Sequence, residues 1–316
     1  MAGILKVDRI QEANSGQGVE LSHKLVDTSG NTIISENNGV ATFGSSVAPS
    51  TNYTFRNKII NGNLKSARVI NQRGASSIAP EGATGYTYDR WYYDDGSTYL
   101  YQGIEDLNVN NGTYCVSWVG SDITAQYLLS TDTTARNGWD GAGTFQTVAN
   151  GGTFTVNESP EHGKHLWIRF SGTLSNLDKV MVEEGTVPTP FEHRPYGTEL
   201  ALCQRYYQKF GNTETEYHRY VVLNCDNSTN ARGIFYFPVP MRVFPTLTTS
   251  GNFANYSAGA IRGISSLTLN PTWTETAGNY NHVSLFAVVS SGLTSGHAGI
   301  LLANNIASFL AFDSEL

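Results

Sequence analysis

The chain has 316 residues, 15% of them charged, and a formal net charge of -7. That length suffices for substantial apolar cores, while the lack of clustered Lys and Arg excludes the phosphate-backbone contacts of a nucleic-acid-binding protein. With 32 Gly and 17 Tyr among 11% aromatics, the composition favours strands, tight turns and wet aromatic surfaces, and predicts a mostly β protein.

In chain order, the opening MAGILKVDRIQ lacks the basic and apolar regions of a secretory signal, and nowhere does an uncharged apolar run reach the ~18 residues of a membrane span. A chain made and folded in a cytosol, without membrane insertion, is expected. Asn-x-Ser/Thr triplets such as those at Asn52 and Asn255 then read as turns rather than glycan acceptors. Residues 1–56 hold short Val and Ile pieces divided by SGQG, TSGN, ENNG and FGSS, with Phe43 as an early aromatic. So few large side chains cannot build a core alone, so this segment is expected to be ordered by other chains or a larger body; a flexible tail is the alternative.

Residues 57–194 alternate short strands with Gly and Asn turns, as in YCVSWV (Tyr114 to Val119) and HLWIRF (His165 to Phe170). Strands separated by turns without intervening helices predict a sandwich or jelly roll. Residues 195–210 are predicted to be a helix. Pro195 and Gly197 punctuate its start, Thr198 is the candidate N-cap and Glu199 lies where the dipole favours an acid. Leu200, Cys203, Tyr207 and Phe210 follow at helical a/d spacing, an apolar stripe that either covers a neighbouring sandwich or forms a seam between chains. Lys209 is the last lysine of the sequence. Residues 211–316 write strands at YVVLN, GIFYFPV, ISSLTLN, HVSLFAVV and ASFLAF, which predict a second all-β domain, a β-sandwich head. In HVSLFAVV, Val283, Leu285, Ala287 and Val289 share one face, while Phe286 and Val288 make the other apolar as well.

No convincing catalytic set is legible. Asp94 and Asp95 are adjacent and face opposite sides of a strand, and Glu183 and Glu184 sit at a strand end, so both pairs read as surface solvation. His162 and His165 in EHGKH fall in a turn rather than on one helix face, which speaks against a metal site. The glycines of GWDGAG (Gly138, Gly141, Gly143) are not a phosphate-cradling pattern. Cys115, Cys203 and Cys225 are odd in number, without zinc-type spacing, and are expected as small apolar residues. No enzyme activity, metal or cofactor is expected. Aromatics are more informative. Trp91, Tyr92, Tyr93, Tyr99 and Tyr101 crowd one run that reads as core. Phe253, Asn255, Tyr256, Trp273, Tyr280 and His282 lie in or beside turn-rich segments and are the candidate carbohydrate-binding residues, because rings among Asn, Ser and Thr suit the CH faces and hydroxyls of sugars.

KIINGN (58–63), NQRG (71–74), YTYDRWYY (86–93), IEDL (104–107), the long run VMVEEGTVPTPFEHRPYGTELALCQRYYQKF (180–210), PMRVFPTLTTSG (240–251) and the ending AFDSEL together resemble tail-fibre and receptor-binding proteins of tailed bacteriophages. The opening MAGILKVDRIQ is similar to that of tail fibres from marine and cyanobacterial phages. The resemblance implies an elongated homotrimer, an N-terminal segment attached to the baseplate or tail of the virion, a jelly-roll module similar to carbohydrate-binding modules, a helical connector and a distal head that touches the host. It adds a partner, a host surface polysaccharide such as lipopolysaccharide, and makes Leu200, Cys203, Tyr207 and Phe210 a candidate trimer seam. The stretch between DRWYY and IEDL is shorter than in such modules, so the jelly roll is expected to have lost its sugar site and the head to carry recognition. A polysaccharide-depolymerising tailspike and a purely structural baseplate or tail component are the competing expectations.

Overall fold

Runs of β-branched and aromatic residues broken by Gly, Asn and Ser turns satisfy their backbone polar groups best in antiparallel ladders. A computed structural model of the chain is accordingly mostly β, with 49% strand and one α-helix among the described residues. The structure describes residues 25–26, 32–37, 40–43, 55–131, 143–158, 163–211, 216–269 and 280–316. Two compact units are present, residues 1–53 and 54–316. The expected boundaries at 194/195 and 210/211 both fall inside the second.

In the first unit, β1 (Leu25–Val26), β2 (Thr32–Asn37) and β3 (Val40–Phe43) form an antiparallel sheet in that order. The second unit begins with β4 (Gly85–Tyr86), β5 (Tyr92–Asp94), β6 (Tyr99–Ile104), β7 (Gly112–Val119), β8 (Ile123–Ser130), β9 (Gln146–Val148), β10 (Thr153–Val156), β11 (His165–Gly172) and β12 (Asp178–Glu184). These strands make a six-stranded sheet of order β4-β5-β6-β11-β8-β9 and a three-stranded sheet β10-β7-β12. The two sheets share one core that includes Trp91, Leu100, Val116, Trp118, Ile168, Phe170 and Val182. Strand periodicity explains β11: Leu166, Ile168 and Phe170 enter this core, whereas Trp167 points to the other face and joins a smaller cluster with Tyr101, Leu128, Phe145 and Leu316.

The helix α1 spans Tyr196–Gln204 and is followed by β13 (Tyr207–Gly211), β14 (Arg219–Cys225), β15 (Asn230–Met241), β16 (Thr246–Ser250), β17 (Phe253–Ser257), β18 (Ala260–Leu269), β19 (Tyr280–Val289), β20 (Ala298–Ala303) and β21 (Phe309–Asp313). Instead of the expected sandwich head, β14-β15-β19-β18-β17-β20 close into a barrel, and β13-β21-β16 form a separate three-stranded sheet. Closure gives every strand of that set a neighbour on both sides, although β14 and β15 pair only through Asn224↔Arg232 and Cys225↔Ala231. Along β15 the alternation is strict, with Phe235 and Phe237 buried and Ile234 and Tyr236 exposed. Phe312 of β21 stacks on Phe235 at 5.2 Å and so fastens the three-stranded sheet to the barrel core.

The helix is shorter than the 195–210 expected. Its N-cap is Pro195 rather than Thr198, which lies inside the first turn. Tyr207 to Gly211 leave the helix because they pair with β21 in the register Tyr207↔Asp313 to Gly211↔Phe309. The stripe of Leu200, Cys203, Tyr207 and Phe210 is therefore not one helix face. Phe210 packs on Phe235 at 4.8 Å, Tyr207 lies under Arg73 at 3.7 Å, Cys203 is fully buried and Leu200 is half-buried. Local 3-4-3 spacing lost to ladder hydrogen bonds with a strand about a hundred residues away, a contact that helical periodicity does not register.

Trp91 is fully buried, donates its indole N–H to the carbonyl of Asn61 at 2.9 Å and leans on Phe170 at 6.1 Å. Trp91→Ala is expected to destabilise residues 54–316 by about 3–5 kcal/mol, read as a lower urea midpoint with the same slope.

Candidate functional site

A cluster of perturbed buried ionisable groups is the usual mark of an active site, and such a cluster exists where sandwich, helix and barrel meet. Glu315 is its centre. Its carboxylate accepts from Arg90 Nη1, from the Arg90 backbone N–H at 3.2 Å and from Arg73 Nη2 at 3.3 Å, and the Arg90 and Glu315 side chains are each 2% exposed. Arg73 also bonds Asp313 at 3.0 Å, and Arg205 bonds Glu105 at 3.0 Å. The guanidinium of Arg90 lies 3.5 Å from the ring centre of Tyr206. Arg242 donates to the carbonyls of Ser314 at 2.8 Å and Glu315 at 3.0 Å, and Tyr86 donates its hydroxyl to that of Leu316 at 2.7 Å. Gly103 lies against Leu316 and Trp167: a Cβ there would sit 2.9 Å from Leu316 Cδ1 and 3.0 Å from the Trp167 ring.

A second knot joins the first to the helix. Asn57 Oδ1 accepts from the N–H of Ile59 at 3.0 Å and of Val182 at 3.0 Å, while Asn61 Oδ1 accepts from Ile70 N at 2.9 Å. Arg194 donates to the carbonyl of Ile59 at 3.1 Å and pairs with Glu199 at 3.3 Å, and Glu199 in turn accepts from the backbone N–H of Asn61. The residues of KIINGN, NQRG, DRWYY, IEDL, FEHRPYGTEL and AFDSEL thus converge on one joint.

Its electrostatics follow from burial and pairing. Burial opposes the charge on Arg90, and Glu315 more than offsets it, so the guanidinium holds its proton more tightly than usual. Burial alone would raise Glu105, but the Arg205 hydrogen bond holds it below the usual carboxylate range. Asp89 is fully buried, and burial raises it to about 6, with the hydrogen bond from the Gln72 side chain pulling the other way. Most of the hydrogen bonds of these groups go to one another and to backbone, while Arg73 Nε, Arg90 Nε and Glu105 Oε1 are buried without a partner. The cavity beside α1, lined in part by Asn61, Arg68, Phe191, His193 and Tyr196, holds about 70 Å³, room for a few waters but not for a sugar ring.

The remaining acids and histidines do similar work. Glu183 is 3% exposed, which corrects its reading as surface solvation: it accepts from the Thr189 N–H at 2.8 Å and hydroxyl at 2.7 Å, pinning a loop. Glu184 pairs with Lys58 at 3.0 Å, and Asp94 and Asp95 accept from the backbone N–H of Gly96 and Gly82. His165 Nδ1 accepts from the Asp106 N–H at 3.1 Å; His162, Gly138 and Gly141 lie outside the described residues. Among the described residues no group of three or more His, Cys, Asp or Glu could hold a metal. Cys115, Cys203 and Cys225 are all buried and free.

The six nominated carbohydrate-binding residues do not form one surface. Phe253 is in the barrel core at 6% exposure, and Asn255 is fully buried against Gly299, so neither can meet a ligand from outside. Trp273 lies outside the described residues. Tyr256 is exposed near the β17–β18 hairpin, whereas Leu269↔Leu285 pairing sends Tyr280 and His282, at the start of β19, toward the opposite end of the barrel. There His282 meets a residue the sequence reading missed: Tyr236, 67% exposed and paired with it, with ring centroids 5.5 Å apart. Tyr280 instead packs with Phe244, at 6.3 Å, against the barrel core, and Asn281 Oδ1 lies 2.6 Å from His282 Nδ1. The period-two alternation of GIFYFPV was the available signal, since it sends Tyr236 outward whenever Phe235 and Phe237 go in. An exposed phenol beside an imidazole and an amide can stack on a sugar face and exchange hydrogen bonds with its hydroxyls.

Two outcomes are expected at the joint. Glu315→Ala strands the buried guanidinium of Arg90, while Arg73 keeps Asp313, and should cost about 3–5 kcal/mol, visible as a lower denaturant midpoint; an unchanged midpoint would sink the reading. For Asp89, the folded value of about 6 lies above the unfolded 3.8, so its contribution is complete below the unfolded value and disappears as pH rises through the folded one. The loss amounts to about 3 kcal/mol, and Asp89→Asn should therefore gain stability relative to the parent between pH 4 and pH 7. Parallel stability profiles across that range would contradict it. No protein-family model matches the chain, and no curated protein matches it at a significant level.

Proposed function

We propose that this chain is a non-enzymatic tail-fibre protein of a tailed bacteriophage, which adsorbs to the host by binding a surface polysaccharide such as lipopolysaccharide. In this reading it works as an elongated homotrimer, with the N-terminal segment attached to the tail, the two-sheet sandwich serving as a jelly roll and the barrel as the distal head. The observation that carries it is the exposed Tyr236 paired with half-buried His282 on a barrel that follows the last lysine of the chain. A ring surface without strong charge suits neutral hydroxyl-rich ligands and weak contacts multiplied by copy number. Self-association is supported by a row of outward apolar residues, in which Val222 and Tyr256 both pair with Ile300 and Tyr256 pairs with Ile261. Val222 is 64% exposed and Ile261 50%, a patch that a second copy could cover.

One observation favours a second reading, a structural tail component without receptor binding: the motifs that carry the resemblance are spent on the joint. They speak for a shared architecture and leave recognition to other residues. The full-length chain, labelled and presented to bacterial cells and to purified lipopolysaccharides with its mass measured in the same preparation, separates the two. Binding that blocks phage adsorption, and that Tyr236→Ala weakens about tenfold without lowering the melting temperature, is expected. A well-folded trimer that neither binds nor blocks would select the structural reading.

A further inference from the structure

We propose that the open flank of the sandwich, between β9 and β10, is a binding groove for a neutral saccharide, separate from the barrel surface. The inference rests on the reading of this chain as a polysaccharide binder, and revises the expectation that its sandwich has lost any sugar site. The strand β9 ends the six-stranded sheet and β10 ends the three-stranded one, so the groove lies where, among the described residues, neither sheet has a further strand. It encloses about 360 Å³, within the range of small-molecule sites, and is lined by residues that include Tyr127, Thr144, Gln146, Thr155 and Glu158.

Three features give it chemistry. Tyr114, Phe154 and Tyr127 form a stack, with centroids 5.6 Å and 4.1 Å apart and interplanar angles of 16° and 20°. Tyr114 and Phe154 are buried, and half-buried Tyr127 is the end ring that lines the groove. A ring already clamped in place loses little rotamer freedom when a sugar lies on it. The Tyr127 hydroxyl donates to Gln146 Oε1 at 2.8 Å, which orients that exposed amide and turns its N–H groups into donors for a ligand, beside the exposed hydroxyls of Thr144 and Thr155. The ionised group among these residues, Glu158, is neutralised by Lys164 at 2.8 Å. An apolar ring, fixed amide and hydroxyl groups and no unpaired charge fit a neutral pyranose and disfavour phosphate or uronate.

The test uses the full-length chain against immobilised dextran, mannan, galactan and neutral O-polysaccharides, with uronate-rich capsular polysaccharide as the charged comparison. Thr155→Trp fills the groove and Gln146→Ala removes the oriented amide, both at exposed positions, so the melting temperature should hold. Each is expected to weaken binding of a neutral polysaccharide about tenfold or more. If these variants bind like the parent while Tyr236→Ala abolishes binding, the groove is refuted and the polysaccharide reading survives. Failure of the intact chain to bind any of the probes overturns both. Binding confined to the uronate-rich polymer and lost in the groove variants overturns the neutral class.

Discussion

The ion pair between Arg90 and Glu315, sealed from water with Arg73 alongside, is the constraint on which residues 54–316 depend. Two buried guanidinium groups are tolerable only if a carboxylate reaches them, because an unpaired buried charge costs several kcal/mol. That carboxylate arrives from a residue more than two hundred positions later in the chain. Until β21 has paired with β13 and delivered Ser314 to Leu316, the sandwich cannot complete its own interior. The barrel is therefore coupled to the sandwich by electrostatics as well as by the apolar contact of Leu316 with Trp167 and Tyr101.

This coupling changes what α1 is. A free connector would swing between two bodies. Here Glu199 in the first turn receives the backbone N–H of Asn61, Cys203 is fully buried and Tyr206 lies against Arg90. The helix is a wedge held from both sides.

The two β parts differ in their edges. The barrel closes through its strand pairs and turns side chains such as Tyr236 and Tyr256 outward. The sandwich keeps an open flank, and the groove lies there.

Much of the local structure was legible in the residues. HLWIRF, YCVSWV, GIFYFPV and HVSLFAVV each alternate or run apolar at strand length, and each lies within a strand, because period-two patterning is a local property of the backbone. A helix just after Pro195 was visible from its punctuating Pro and Gly and its first-turn acid, although the N-cap expected at Thr198 lies at Pro195. What the sequence could not decide was where the helix ends, whether the last strands close, and which polar residues are buried. Tyr207 and Phe210 fit a helical stripe until β21 offers them a ladder, Asn255 reads as a loop residue until its strand places it inside a barrel, and nothing local marks Glu315 as the buried partner of two arginines. Local propensity is worth tenths of a kcal/mol per residue, whereas burial, ladder pairing and buried charge are worth several. The sequence by itself determined the strands and the scarcity of charge; tertiary contact alone decided the barrel, the joint and which aromatic rings face the solvent.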